Sequence, residues 1–361
     1  MLYSILKRAF PASAIVGKPR RIVFVRPCCI GDVVMATAAL SALRETFPEA
    51  HITWAVGPWS ARAIQHHPAV NSILDIGEDM PLRTPAALLR FARQLRAGGF
   101  DLAVSLVRSP LMSLALLLSG IPIRAGLDSG GRGFGYNLRI PIDPAASEHE
   151  SEIYLRAVGA VAGREVHAYA NLPVANHALA SVRARLAEEC INAPFIVAHP
   201  GGGANPGAQL AEKRFPPKQF AETLNRVAAP RGAGVILLGG PDDGELVADV
   251  ERQLDLHTVS WVNRLTFQEI GALAAEALIY IGNDSGLTHL AAASGAKTVM
   301  LMGPTDPKRY APYTPDHLAL WKPVKLQADG AVHAARADWK WARDGVSADE
   351  AAARILAFLD R

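Results

Sequence analysis

The sequence predicts an α/β protein made of two doubly wound domains in tandem, and three observations carry that prediction. Short apolar runs alternate with segments of helical period through two separate stretches, about residues 21–118 and 195–302, the pattern of parallel sheets covered on both faces. The chain has 361 residues, 50% of them hydrophobic, more than one ordinary core requires and suited to two domains of about 150–180 residues. The unusual glycine and polar residues fall where apolar runs end and helices begin, the edge at which open parallel sheets bind ligands.

In chain order, Arg21–Val25 (RIVFV) reads as a buried strand and Asp32 to Phe47 as a helix, with Ala36, Leu40, Leu43 and Phe47 on one stripe. Strands follow at Ile52–Val56 and near Ile73–Ile76, then a helix around Ala86–Leu95, a strand at Asp101–Val107 and an apolar helix near Leu111–Leu118. Residues 124–150, rich in glycine, proline and charge, read as a loop outside the core. A helix near Glu152–Val161 and a linker over 164–194, with a helix at Ala178–Glu189, lead to the second alternating unit. There the strand Phe195–Ala198, the helix Pro217–Val227, the strand Gly234–Leu238 and the helix Glu245–Leu254 come first. They are followed by the helix Phe267–Ala275, the strand Ala277–Ile281, a helix from Gly286, and the strand Thr298–Met302 that closes the core. The amphipathic segment Ala348–Leu359 is the last helix.

A net charge of +3 argues against nucleic acid as the main partner. The first 21 residues hold Lys7, Arg8, Lys18, Arg20 and Arg21 and no acid. With Leu2, Ile5, Leu6 and Phe10 on one side, they suit either an anionic membrane surface or a frayed, solvated terminus. No signal peptide is legible, and the longest apolar run, Pro110 to Ile123, is too short to span a bilayer. Cys28, Cys29 and Cys190 form neither a disulfide framework nor metal-ligand spacing, so a cytoplasmic location is expected.

Several strand-to-helix turns carry chemistry. Asp32, in Pro27-Cys28-Cys29-Ile30-Gly31-Asp32, fits either a helix cap or a general base. Gly201, Gly202 and Gly203 let backbone N–H groups approach an anion, and Lys213 and Arg214 bring cations that could neutralise a diphosphate. The sharpest signal is Asn283-Asp284-Ser285-Gly286-Leu287-Thr288-His289, a turn opening an alanine-rich helix and a ready anion site at a helix N-terminus. Within it, Asp284 suits a cap, a bond to sugar or ribose hydroxyls, or a loop-orienting role; His289 suits a phosphate contact or a core position. Asp242 in the turn after Leu238, and Gly303, Pro304 and Thr305 after the strand ending at Met302, complete the candidate set at the same edge. No G-x-G-x-x-G follows the first strand, which speaks against a nicotinamide-dependent dehydrogenase.

The segments Ile30-Gly31-Asp32, Lys213-Arg214-Phe215-Pro216, Asn283 to His289 and Gly303-Pro304-Thr305-Asp306 together resemble glycosyltransferase family nine, the ADP-heptose:lipopolysaccharide heptosyltransferases. The resemblance implies a GT-B fold of two Rossmann-like domains facing across a cleft. By that resemblance residues 1–170 are expected to bind the acceptor, 171–345 the nucleotide sugar, and a helix over 346–361 to pack back on the first domain. It further implies metal-independent transfer of heptose from ADP-heptose to a lipopolysaccharide core or related glycan, with inversion and no cofactor. Asp32 matches the base, Lys213 the residue that stabilises the departing diphosphate, and Gly201 to Gly203, Arg214, Asp284, Ser285, Gly286, Leu287 and His289 the donor site. The Cys28-Cys29 pair departs from the small or hydroxylic residues common there. Expected partners are the nucleotide sugar, a lipid-linked saccharide and the inner-membrane surface through the basic N-terminus. A transferase of another nucleotide sugar, a GT-B-like nucleotide-sugar epimerase and a non-catalytic binding protein are the competing readings.

Overall fold

The structure is a computed structural model that describes residues 18–77, 82, 84–191, 194–202, 204–205, 208–328, 333–335 and 338–361. The chain divides into two compact units, Met1–Ala170 and Asn171–Arg361. The basic segment before Lys18 lies outside the described residues, as does Gly203.

The first unit runs β1 (Arg21–Val25), α1 (Ile30–Thr46), β2 (His51–Val56), α2 (Pro58–Ile64), β3 (Ser72–Asp75), α3 (Pro85–Ala97), β4 (Leu102–Ser105), α4 (Pro110–Ser119), β5 (Ile123–Asp128), β6 (Leu138–Pro141) and α5 (Glu150–Ala162). Its strands form one parallel sheet in the order β3-β2-β1-β4-β5-β6. Val23, Val25 and Ala103 pack with Leu88, Phe91 and Leu95 of α3 and Met112, Ala115 and Leu116 of α4. The helices α1 and α5 pair with each other.

The second unit runs α6 (Asn176–Glu188), β7 (Phe195–His199), the short ribbon of β8 (Ala204–Asn205) and β9 (Ala208–Gln209), α7 (Pro217–Ala228), β10 (Gly234–Gly239), α8 (Gly244–Glu251), β11 (Thr258–Val262), α9 (Phe267–Glu276), β12 (Ile279–Asn283), α10 (Gly286–Ala293), β13 (Thr298–Leu301), α11 (Pro307–Tyr310), β14 (His317–Leu320), the ribbon β15 (Leu326–Ala328) with β16 (His333–Ala335), α12 (Trp341–Asp344) and α13 (Ala348–Leu359). Its main sheet is parallel, in the order β11-β10-β7-β12-β13-β14. Numbered within its own unit, each sheet has the strand order 3-2-1-4-5-6 of a doubly wound dinucleotide-binding fold. On one face Ile196, Val235, Ile279 and Val299 meet Phe220, Leu224 and Val227 of α7. Each such fully buried side chain contributes about 1.5–3 kcal/mol.

Four expectations are corrected. Residues 124–150 are not a loop: they hold most of β5 and all of β6, and Tyr136 between those strands is fully buried. Thr298–Leu301 does not close the second sheet, because β14 pairs outside it, and β11 forms the opposite edge. A short helix, α2, sits between β2 and β3 where only strands are read. The last helix belongs to the second unit: Ala351, Ala352, Ile355 and Phe358 are buried in its core, and α13 packs on α7 and β14.

Candidate active site

In a 3-2-1-4-5-6 sheet the chain leaves β1 and β4 in opposite directions, opening a crevice at their carboxyl ends. Both units place their candidate residues at this point.

In the first unit β1 runs into α1, whose N-cap is Cys29, so Asp32 is the third helical residue and not the cap. Its carboxylate accepts the Cys29 N–H at 3.4 Å. The other oxygen takes the Arg26 guanidinium at 2.6 Å and the Tyr154 hydroxyl at 3.3 Å. Arg26 lies over the Tyr154 ring, 5.3 Å from its centroid, and donates to the Leu106 carbonyl at 3.1 Å. Burial works against the Arg26 charge, but Asp32 outweighs it and holds the guanidinium above its ordinary value. Burial also pushes the Tyr154 phenol well up, so it stays a donor. The Asp32 side chain is 29% exposed: three groups fix it while leaving it open to a substrate.

In the second unit the switch point lies between β7 and β12, with His199 in register with Gly282. Asn283 ends β12 fully buried and ties three segments together. Its side-chain oxygen Oδ1 accepts the Phe215 N–H at 3.0 Å, while its side-chain Nδ2 donates to the Pro200 and Gly201 carbonyls at 2.7 and 3.1 Å. Asp284, 6% exposed, receives Lys213 Nζ at 2.7 Å and the Thr305 hydroxyl at 2.5 Å. Burial alone raises this carboxyl, yet Lys213 and Thr305, with His289 adding, hold it below the usual range. Lys213 is thus aimed by a buried anion, and its side chain remains 15% exposed.

The Gly201-Gly202 turn approaches its surroundings so closely that side chains do not fit. A Cβ on Gly201 would lie 2.5 Å from an Asp243 carboxylate oxygen. Gly202 has φ +110°, and its Cβ would lie 2.7 Å from that of Ser285. Arg214 Nε donates to the Gly202 carbonyl at 2.7 Å, and its Nη2 lies 3.8 Å from Asp243. Asp243 also accepts the Gly240 N–H at 2.9 Å and faces His199 Nε2 at 3.6 Å. Burial pushes the Asp243 carboxyl up, but these partners prevail and hold it low. Ser285 caps α10, whose first N–H groups, beginning at Gly286 and Leu287, have no partner within the helix.

Gly201, Gly202, Lys213, Arg214, Asp284, Ser285, Gly286 and Thr305 therefore converge on one polar network. Leu287 and Pro304 are half-buried beside it, and His289 and Gly303 are buried. Asp242 is exposed, and in the same turn it is Asp243 that bonds the Gly240 N–H. Sequence reasoning did not single out Arg26, Tyr154, His199, Asp243 or Asn283 as site residues. Two of them stood in signalled turns, Asp243 in Gly-Gly-Pro-Asp-Asp and Asn283 just before Asp284. Among the described residues, no group of three or more His, Cys, Asp or Glu side chains is placed to hold a metal ion. None of the described helices is long and apolar enough to cross a membrane.

The fold is that of the GT-B glycosyltransferases. A glycosyl transferase of family 9 from Veillonella parvula superposes with a TM-score of 0.81 at 19% identity, over 96% of this chain and 99% of that one. The structure described as E. coli ADP-heptose lps heptosyltransferase II superposes at 0.69 and 20% identity, over 94% and 98%. The sequence model of Glycosyltransferase family 9 (heptosyltransferase) matches residues 88–335, and the chain belongs to that family. Relatives include Lipopolysaccharide heptosyltransferase 3 of Escherichia coli K12, 23% identical over 81% of this chain and 85% of the relative. Lipopolysaccharide heptosyltransferase 2 of the same strain is 25% identical over 80% and 84%. The protein is a glycosyltransferase.

Proposed function

We propose that this glycosyltransferase moves a heptose from ADP-heptose to a hydroxyl of a lipopolysaccharide core or related glycan, inverting the anomeric centre and using no metal. The observation that carries the reading is Lys213 held by Asp284, itself bonded by the Thr305 hydroxyl, beside the glycine turn and the start of α10. This arrangement suits a diphosphate that gains charge as it leaves. The names of the relatives support the sugar and the acceptor.

The reaction is a single displacement. Asp32 accepts the proton of the acceptor hydroxyl while the oxygen of that hydroxyl attacks the anomeric carbon, and the bond to the diphosphate oxygen breaks on the opposite face. Arg26 and Tyr154 fix the carboxylate during attack. Lys213, Arg214 and the N–H groups opening α10 receive the charge of the departing ADP, the task a divalent cation performs in other sites. The enzyme works at the cytoplasmic face of the inner membrane, where the basic residues up to Arg21 meet anionic lipid.

The test is product analysis with purified protein, ADP-heptose and a heptose-deficient lipopolysaccharide core, in the presence of a chelator. The expected product is the core enlarged by one heptose with an anomeric configuration opposite to that of the donor. A retained configuration or chelator-sensitive turnover contradicts the mechanism. Transfer only from other nucleotide sugars removes the heptose, and donor epimerisation without acceptor removes the transfer.

A further inference from the structure

Cys28 and Cys29 end the β1–α1 connection, three residues before Asp32, and the mechanism above does not use them. Their sulfurs are 2.8 Å apart, inside ordinary contact, and both residues are half-buried, open enough for a small reagent. Cys29 is also structural. It caps α1, with its sulfur against the Asp32 N–H and its own N–H donated to the Asp32 carboxylate. Any bond made by the Cys29 sulfur therefore acts on the helical turn that carries Asp32.

We propose that Cys28 and Cys29 form a redox modification site that closes to an intrachain disulfide on reaction with a low-molecular-weight disulfide, and that closure shuts down transfer by releasing the first turn of α1. The effect on transfer rests on the reading of Asp32 as base; the closure itself does not. The Cys28 thiolate attacks one sulfur of the reagent, forming a mixed disulfide and expelling one thiolate. Cys29 then gives up its proton to solvent and attacks the Cys28 sulfur, expelling the second thiolate. Two protein thiols are oxidised, and the reagent is reduced to two thiols. Cys28 is the natural first nucleophile: the Cys29 hydrogen bond, with help from Arg26, lowers its pKa to about 7, whereas Cys29 is held well up by the same contact. Adjacent residues have Cα atoms at most about 3.8 Å apart, shorter than the roughly 4.4–6.8 Å usual for bridged cysteines, so the bridge is of the readily reduced kind.

The experiment uses the full chain and oxidised glutathione, with Cys190, the exposed third cysteine, as an internal reference. Maleimide labelling and intact mass should show two of the three thiols lost, Cys190 still labelled and no glutathione retained. Dithiothreitol should restore both thiols. Amide exchange over Ile30–Val33 should rise on closure and fall on reduction, a readout independent of the donor sugar. Transferase activity should fall about tenfold or more on oxidation, since misplacing a catalytic group costs at least that, and Cys190→Ser should behave in the same way. Cys29→Ser keeps a capping oxygen; it should retain glutathione on Cys28 instead of closing. Glutathione retained on the wild type, an unchanged thiol count, or closure that leaves exchange and activity as they were would each overturn the proposal.

Discussion

Replacing Asp284 with Asn keeps the shape of the side chain and removes the charge that holds Lys213. At 2.7 Å the two charges attract by about 6 kcal/mol at an effective dielectric constant of about 20, and the desolvation of both groups offsets part of this. Removing one partner of a buried pair costs about 3–5 kcal/mol. Lys213 remains 15% exposed and can turn to water, which places this site at the low end, about 3 kcal/mol. The Asp284 carboxyl is held below its ordinary value in the folded chain. Its stabilisation is therefore complete above the unfolded carboxylate range, about pH 4, and is lost as the pH falls through the lower folded value. Urea unfolding of wild type and Asp284→Asn should differ by about 3 kcal/mol at pH 7, and the two should converge under acid. A difference that is absent at pH 7, or that persists unchanged in acid, would refute the assignment of Asp284 as the anchor of Lys213.

Other outcomes follow from single contacts. Tyr154→Phe removes a 3.3 Å hydrogen bond to Asp32 and should lower kcat about fivefold, the equivalent of about 1 kcal/mol, with the donor Kd unchanged by calorimetry. Gly201→Ala puts a methyl group 2.5 Å from an Asp243 oxygen, so nucleotide binding should weaken about tenfold or more for a misaligned turn; wild-type affinity would contradict the close approach. Ile355→Ala, at a fully buried position of α13, should destabilise by about 2–5 kcal/mol in denaturant titrations, whereas a surface helix would lose almost nothing.

The alternation of apolar strands and helices was legible because most strands are buried on both faces, as in RIVFV and FIVAH. The missed strands lack that signature for physical reasons. β5 carries Arg124, whose guanidinium donates to the Gly135 carbonyl at 2.9 Å, and Gly126, whose missing side chain leaves room for Tyr136. β11 and β14 are edge strands, each with only one fully buried residue. The last helix was legible as amphipathic, but its pattern names a buried face and not the surface that receives it. At the site, residues fixed by local turn chemistry could be read, including Asp32, Gly201, Gly202 and Asp284. Those whose role is to join distant segments could not. Asn283 reaches Phe215, 68 positions away, and Tyr154 reaches Asp32 across 122; no local pattern encodes either partner.

The most direct test of the account separates donor binding from proton transfer. ADP-heptose binding and acceptor-dependent ADP release are measured side by side for wild type, Asp32→Asn and Lys213→Ala. Asp32→Asn should bind donor as the wild type does and turn over about 10²–10⁴ times more slowly, whereas Lys213→Ala should lose donor affinity as well as rate. Wild-type turnover in Asp32→Asn, or unchanged donor binding and rate in Lys213→Ala, would contradict this mechanism.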